Sequence, residues 1–400
     1  MNIGFNIRLL DAEVAITGQV VHAANLLDQI LNMNQHHNIT LYGYDVPLHK
    51  EFATHLQGPR VKLRTITKTG SRALDYLRLQ GLIAIDLARG KLDLLHVFTP
   101  SDLGPLPSRK ILATVHDTYS FLSAKDREGK NSRWSTRWRV GLARRADVVV
   151  TVSEFSKSEI QKHLGIPPQR IHVIHNGISP LFKALDATIR KAYRERFNFQ
   201  GEVILHIGNF TPNKNYARLI RAFKEVSKNL KEASLVMVGD TSIGNHREVL
   251  RVVAETGLSH RVTFLSRLST PDLVGLYNAA DIFVFPSLYE GFGLPVLEAM
   301  ACGLPVITSK TSSLPEIVGD AALLVDPTDV QGLAHSMSQL LTSRALQKTY
   351  TDRGIERSKE FSWKRVAERV LNLYDLYSAE NGPLTKEAQK TPCELQSSTI

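Results

Sequence analysis

The chain reads as α/β, with two doubly wound, Rossmann-like parallel-sheet domains in tandem. Three observations predict this. Its 400 residues exceed what one ordinary core holds. Apolar runs of strand length alternate with stretches of helical periodicity. Near residues 176–188 the alternation stops at Gly177 and Pro180, and then it begins again. Strands buried on both faces and separated by helices form parallel sheets with helices on either side. Ligands of such sheets sit beyond the strand C-termini, so two of them in tandem are expected to face one another across a cleft.

In the first half the strands are "NIGFNI" (2–7), "NITLYGY" (38–44), "RVKLRTI" (60–66), "LDLLHVF" (92–98), "KILATVHD" (110–117), "DVVVTVS" (147–153) and "IHVIHN" (171–176). Helical spacing of apolar residues fits 19–33, 71–88, 132–143 and 154–164, the last with Ser153 as its N-cap. The second half restarts with "EVILHIG" (202–208), "SLVMVGD" (234–240), "RVTFLS" (261–266), "DIFVFPS" (281–287), "LPVITS" (304–309) and "AALLVDP" (321–327). Helices are expected between them at 215–227, 247–255, 271–278 and 294–301. The domains are therefore set at 1–180 and 181–363. A helix over 364–378, capped by Ser362, is expected to pack back on the first domain, and 379–400, without apolar period, is expected to be a disordered tail.

The composition, 43% hydrophobic and 22% charged, is that of an ordinary globular chain. No apolar run has membrane-spanning length, and "MNIGFNIRLLDAEVA" lacks the basic start and long apolar block of a signal peptide. Two cysteines, Cys302 and Cys393, offer neither a disulfide framework nor a metal cluster, which suits a reducing cytoplasm. Charge is uneven. Residues 60–145 hold 18 basic against 7 acidic side chains, whereas the half after residue 180 is nearly balanced. An anionic partner for the first domain explains this, and so does a merely solvated basic surface.

The densest chemistry lies in "FPSLYEGFGLPVLEAMACGLPVI", 285–307. A strand runs into a loop and the loop into a helix. Gly291 and Gly293 allow backbone torsions and close approach, and Pro295 suits a first helical turn. The backbone amides of Gly291, Phe292, Gly293 and Leu294 would meet an anion at the helix start, where each interaction is worth about 0.3–1 kcal/mol. Carboxylates suit hydroxyl donors rather than phosphate. Glu290 in the loop and Glu298 one turn into the helix therefore suggest a ligand with a diphosphate in its middle and hydroxyls at both ends, a nucleotide sugar. Taken alone, a turn acid and a helix-start acid are also explained by the helix dipole. In "HIGNFTPNKNYARLI", 206–220, Lys214 sits where a second strand turns into a helix, suited to neutralising a diphosphate leaving group.

The stretch 286–327, with "ILHIGNFTPNKNYARLIRAF" before it, resembles the donor signature of the retaining family 4 glycosyltransferases, which have the GT-B fold. The likeness covers about 150 residues of the second half and is weaker over the first. The family's Glu, seven residues, Glu signature matches Glu290 and Glu298. It implies that Glu290 lies by the donor sugar, that Glu298 binds ribose and that Lys214 holds the diphosphate. The family sets an arginine beside that lysine. Here the usual arginine positions hold Asn209 or Asn213, and Arg218, one turn on, either substitutes or faces solvent.

In "ATVHDTYSF", 113–121, the resemblance places His116 against the donor sugar, reaching from the first domain, and Asp117 either orients it or touches the acceptor. Gly18, before the first helix, is one of two glycines the family often shows there. The implied reaction moves a hexose from a nucleotide sugar to an acceptor hydroxyl, through same-face attack assisted by the leaving phosphate, without an essential metal. The closest flavour is mannosyltransferase-like, hence GDP-mannose, in cell-surface polysaccharide, lipopolysaccharide or glycolipid synthesis. An epimerase or polymer synthase on the same fold, or a non-catalytic binding subunit, is the alternative. The basic stretches "SRALDYLRLQG" and "SRWSTRWRVGLARR", with Trp134 and Trp138, suit an anionic membrane surface or a phosphorylated acceptor. No nucleic-acid motif is present. The expectation is a cytoplasmic enzyme, peripheral at the inner face of the membrane.

Overall fold

The computed structural model describes residues 1–14, 17–48, 60–104, 111–119, 130–242, 244–266 and 268–379. The expected tail beyond Ala379, with Cys393, and the side chain of Trp134 lie outside what is described. The chain divides into two units: Met1–His175 with the closing segment from Trp363, and Asn176–Ser362.

The first unit runs β1 (Asn2–Asn6), α1 (Gly18–Met33), β2 (Asn38–Tyr44), β3 (Val61–Ile66), α2 (Arg72–Ala88), β4 (Leu94–Val97), β5 (Ile111–Thr114), α3 (Lys130–Arg145), β6 (Val148–Thr151), α4 (Glu154–Leu164) and β7 (Ile171–Val173). Its strands form one parallel sheet in the order β3-β2-β1-β4-β5-β6-β7. Alternate residues serve opposite faces. Ile3, Phe5, Leu41, Leu94 and Val148 join Leu26, Leu27 and Ile30 of α1. Tyr42, Leu95, Val97, Ala113 and Val149 join Leu79 and Ile83 of α2, Leu142 of α3 and Ile160 of α4.

The second unit runs α5 (Ala187–Arg196), β8 (Val203–Ile207), α6 (Tyr216–Asn229), β9 (Ser234–Val238), α7 (His246–Thr256), β10 (Val262–Leu265), α8 (Thr270–Ala279), β11 (Ile282–Phe285), α9 (Leu294–Ala301), β12 (Val306–Ser309), α10 (Leu314–Val318), β13 (Leu323–Val325), α11 (Val330–Thr342) and α12 (Arg344–Ser358). Its sheet is parallel in the order β10-β9-β8-β11-β12-β13. Phe223, Val252, Leu333 and Met337 of α6, α7 and α11 bury one face against Ile204, Leu235 and Val284.

The last helix, α13 (Trp363–Ala379), returns to the first unit. Val366, Val370 and Tyr374 enter the core shared with α1, and the Tyr374 hydroxyl meets His96 Nδ1 at 2.5 Å. The division falls at His175/Asn176 rather than at 180, because Ile178 pairs with Ser362 and donates its N–H to Phe361 O at 3.2 Å, which keeps the linker with the second unit. The strand expected to 176 ends at Val173. Among the described residues, four α-helices lie outside those the sequence predicts: α5, α10, α11 and α12.

Candidate active site

The second sheet reverses direction between its central strands: β8 leads outward through β9 to β10, and β11 through β12 to β13. A crevice for ligand opens beyond the carboxyl ends of strands at such a reversal. The loops leaving β8 and β11, 208–215 and 286–293, lie side by side there. They are stitched together. Leu288 N donates to Asn213 O at 2.7 Å, and Asn213 Nδ2 donates to Tyr289 O at 3.0 Å. Asn215 takes the left-handed φ of 61° and its buried amide donates to Pro286 O at 2.9 Å and Pro327 O at 2.6 Å. Asparagine tolerates that torsion better than most side chains and brings two donors with it.

This stitching brings Lys214 Nζ to 2.5 Å from Glu290 Oε1, with the two side chains 16% and 13% exposed. The ammonium also lies 4.9 Å from the Phe285 ring centre. A charge pair so withdrawn from water is useful when both members are held in place, since neither then reorganises to meet a charged ligand. Behind it, Ser313 Oγ donates to Glu290 O at 3.0 Å and Phe292 O at 2.9 Å, clamping the loop. Gly293 caps α9 with φ 109°, a left-handed torsion that requires glycine. Gly291, expected to share that role, is not in the left-handed region. Leu294 opens α9 as expected, with Pro295 in its first turn, and Phe292 is buried.

Glu298 stands one turn into α9 and is partly buried. Its Oε2 accepts from Tyr277 Oη of α8 at 2.7 Å. Burial pushes its carboxyl up to about 7, against the opposing pull of that hydrogen bond. Beneath the loops His206 Nδ1 bonds Val284 O at 2.8 Å, and burial holds the ring neutral, its pKa down at about 3.

The expected residues are not all gathered here. Asn209 accepts from Thr211 N at 2.7 Å through its carbonyl and closes the turn. Arg218 turns to Asn215 Oδ1 at 3.0 Å and borders a groove with Phe210, Asn245 and Glu248. Gly18, His116 and Asp117 belong to the first unit. Gly18 is the first residue of α1, behind the Thr17 cap. His116 borders a small cavity with Gln19, Thr99, Ser101, Asp117 and Arg139, at the ends of β4 and β5. Its ring meets that of His22 edge-on at 4.6 Å, and burial, helped by His22, lowers its pKa well below the usual histidine range. Asp117 Oδ1 accepts from Tyr119 N at 2.9 Å, which shapes the turn. Tyr277, Ser313, His206, Gln19 and Arg139 were not anticipated. Tyr277 meets Glu298 across 21 positions of sequence and Ser313 meets Glu290 across 23, where no local pattern points. Arg139 stood within a basic run that gave no reason to single it out.

Two family models match the chain: "Glycosyltransferase Family 4" over residues 16–180 and "Glycosyl transferases group 1" over 189–357. Over 279 residues it is 33% identical to O-antigen chain mannosyltransferase B of Escherichia coli, covering 68% of this chain and 72% of that protein. It is 29% identical over 292 residues to the serotype-specific mannosyltransferase WbdA of Escherichia coli, covering 72% of this chain but only 36% of WbdA. The solved structure of Anabaena HepE in complex with UDP-glucose superimposes with a TM-score of 0.74 at 21% identity, over 94% of this chain and 99% of that one, a likeness of fold.

Proposed function

The chain belongs to the GT-B glycosyltransferases that join a family 4 domain to a group 1 domain, and on that premise we propose that this hexosyltransferase moves mannose from GDP-mannose to a sugar hydroxyl with retention of configuration. The observation that carries the reading is the Lys214–Glu290 pair at the β8/β11 reversal, beside the start of α9.

The diphosphate is assigned to the α9 amides and to Lys214, whose ammonium stabilises charge as the bond from the sugar anomeric carbon to phosphate oxygen breaks. Glu290 has a second carboxylate oxygen, Oε2, with which to accept from sugar hydroxyls. Glu298, with Oε2 engaged by Tyr277, offers Oε1 to the ribose diol. The acceptor oxygen attacks the anomeric carbon from the face the phosphate is leaving. Its proton passes to a departing phosphate oxygen, giving GDP and a mannoside. His116 is assigned to the sugar. A neutral ring there does not repel the positive charge that develops at the anomeric carbon. No metal is assigned a role. The relatives named as mannosyltransferases support the sugar, and the O-antigen relative supports a growing polysaccharide as acceptor.

Thermal shifts with a panel of nucleotide sugars test the donor, because a ligand stabilises with the logarithm of its saturation. GDP-mannose should raise the melting temperature more than UDP-glucose, and acceptor-dependent GDP release should persist in EDTA. Stabilisation by uridine nucleotides alone would overturn the mannose assignment. Loss of turnover in EDTA, restored by a divalent cation, would overturn the metal-free mechanism.

A further inference from the structure

Tyr277 of α8 is 1% exposed and reaches two parts of α9 with one hydroxyl. Its Oη donates to Glu298 Oε2 at 2.7 Å and stands 3.3 Å from Pro295 O, in the turn where α9 begins. The ring is locked. It packs on Phe283 of β11, with 5.6 Å between centres, and edge-on against Phe182 of the linker at 5.9 Å. The next residue fastens the same corner: Asn278 Nδ2 donates to Lys183 O at 3.0 Å, and Asn278 Oδ1 accepts from Leu185 N at 2.8 Å. A phenol held in this way presents its donor at a fixed point. The Glu298 side chain, only partly buried, has rotamer freedom to lose to it.

We propose, resting on the assignment of ribose to Glu298, that Tyr277 is a positioning residue for the nucleotide: its hydroxyl occupies Oε2, fixes the side chain with Oε1 left for the ribose diol, and makes an efficient acceptor of a withdrawn acid. A carboxylate accepts from both ribose hydroxyls, whereas a carboxylic acid carries a proton that one of them would have to face. Burial favours the acid and pushes Glu298 up to about 7, while the Tyr277 hydrogen bond pulls the other way. Cys302, one turn further along α9, is the other titratable group beside it, and burial keeps that thiol protonated. Among the described residues no charged side chain on β11, β12, α10 or α12 shifts the carboxyl. With the Tyr277 hydroxyl removed, burial acts on Glu298 unopposed.

The test is calorimetric titration of the full chain with GDP and with UDP between about pH 6 and about pH 9, on either side of the Glu298 ionisation. Each variant is read as a ratio to wild type at the same pH, so that the nucleotide's own ionisation cancels. Tyr277→Phe should bind about tenfold more weakly at the acid end, the order expected when a hydrogen bond to a charged group is lost. The deficit should shrink towards the alkaline end, where Glu298 ionises without help. Added to Glu298→Gln, Tyr277→Phe should show no such pH dependence. An affinity unchanged by Tyr277→Phe overturns the proposal. So does a deficit equal at every pH, which loosened packing alone would give. Should Tyr277→Phe fail to fold, Tyr277→3-fluorotyrosine keeps the shape and donates more strongly, and it should tighten binding at the acid end; a ratio of one throughout overturns the role. Glu298→Gln binding as tightly as wild type, or binding of neither nucleotide, would instead overturn the ribose assignment beneath it.

Discussion

In the second unit the loops after β8 and β11 are tied to each other, through Asn213, Asn215 and the Lys214–Glu290 pair. In the first unit the loop after β4 is tied instead to a helix and an arginine. Tyr76 Oη of α2 donates to Ser101 O at 3.0 Å, Gln80 Nε2 donates to Asp102 O at 2.9 Å, and Arg8 Nη2 meets Asp102 Oδ1 at 2.6 Å. The same architecture thus supports two kinds of site. One holds a charged pair between two short loops. The other sets the His116 ring, edge-on to His22, at the border of a small polar cavity. The proposed function assigns nucleotide binding to the second unit and a part in the chemical step to His116 of the first.

The largest effect expected is at Lys214. Lys214→Ala should lower kcat by about a hundredfold to a thousandfold, the usual range for removing a donor to developing charge. A loss under about tenfold would mean that the leaving group is stabilised elsewhere. His116→Ala should lower kcat by about tenfold to a hundredfold, on the scale of a positioned polar group. Its GDP affinity by calorimetry should stay at the wild-type value. An equal fall in GDP affinity would break the division of labour just drawn.

The smallest effect is on stability. The Glu298 carboxyl rises from 4.5 to about 7 on folding, so the folded chain holds that proton more readily than the unfolded one. The stabilisation this represents is complete below about pH 4.5 and is lost as pH rises towards 7. Above that, the buried carboxylate is a cost. Glu298→Gln keeps an acceptor for Tyr277 and removes the cost. It should gain about 1–3 kcal/mol in denaturant titrations at pH 8 and nothing at pH 4, while binding donor more weakly. Equal stability at both pH values would show that Glu298 ionises freely.

Much of the fold could be read beforehand because a buried parallel strand is an apolar run, and runs such as "DIFVF" and "DVVVT" have strand length and β-branched or aromatic side chains. The unexpected helices divide by cause. In α12, "RALQKTYTDRGIERS", only Gly354 and Ser358 are buried, so tertiary packing leaves almost no apolar period to find. Helix α5 buries none of its residues. Helix α11 does carry signals, an Asp329 cap and Leu333, Met337 and Leu340 at helical spacing. At the site, Lys214, Glu290 and Glu298 could be read because each lies within a contiguous strand–loop–helix passage. What could not be read is how they are held. Tyr277 beneath Glu298, Ser313 behind the glycine loop and Asn213 bridging to Tyr289 are contacts made by the sheet's topology. The role of Arg218 illustrates the same limit: one helical turn from Lys214 in sequence, its guanidinium is turned to Asn215.

The return of α13 to the first unit sets an order of assembly. Ile178 and Ser362 meet at the base of the second unit, so that unit is an insertion whose two ends are already neighbours. As the chain leaves the ribosome, residues 176–362 have everything they need to close their core, whereas the first unit must wait for Val366, Val370 and Tyr374. Until they arrive, the outward face of α1 and the His96 ring lack their final cover, and each large apolar side chain left in water forgoes about 1.5–3 kcal/mol. The half made first is therefore the half finished last, and a chain cut short just before Trp363 would release a sound second unit attached to an unfinished first one.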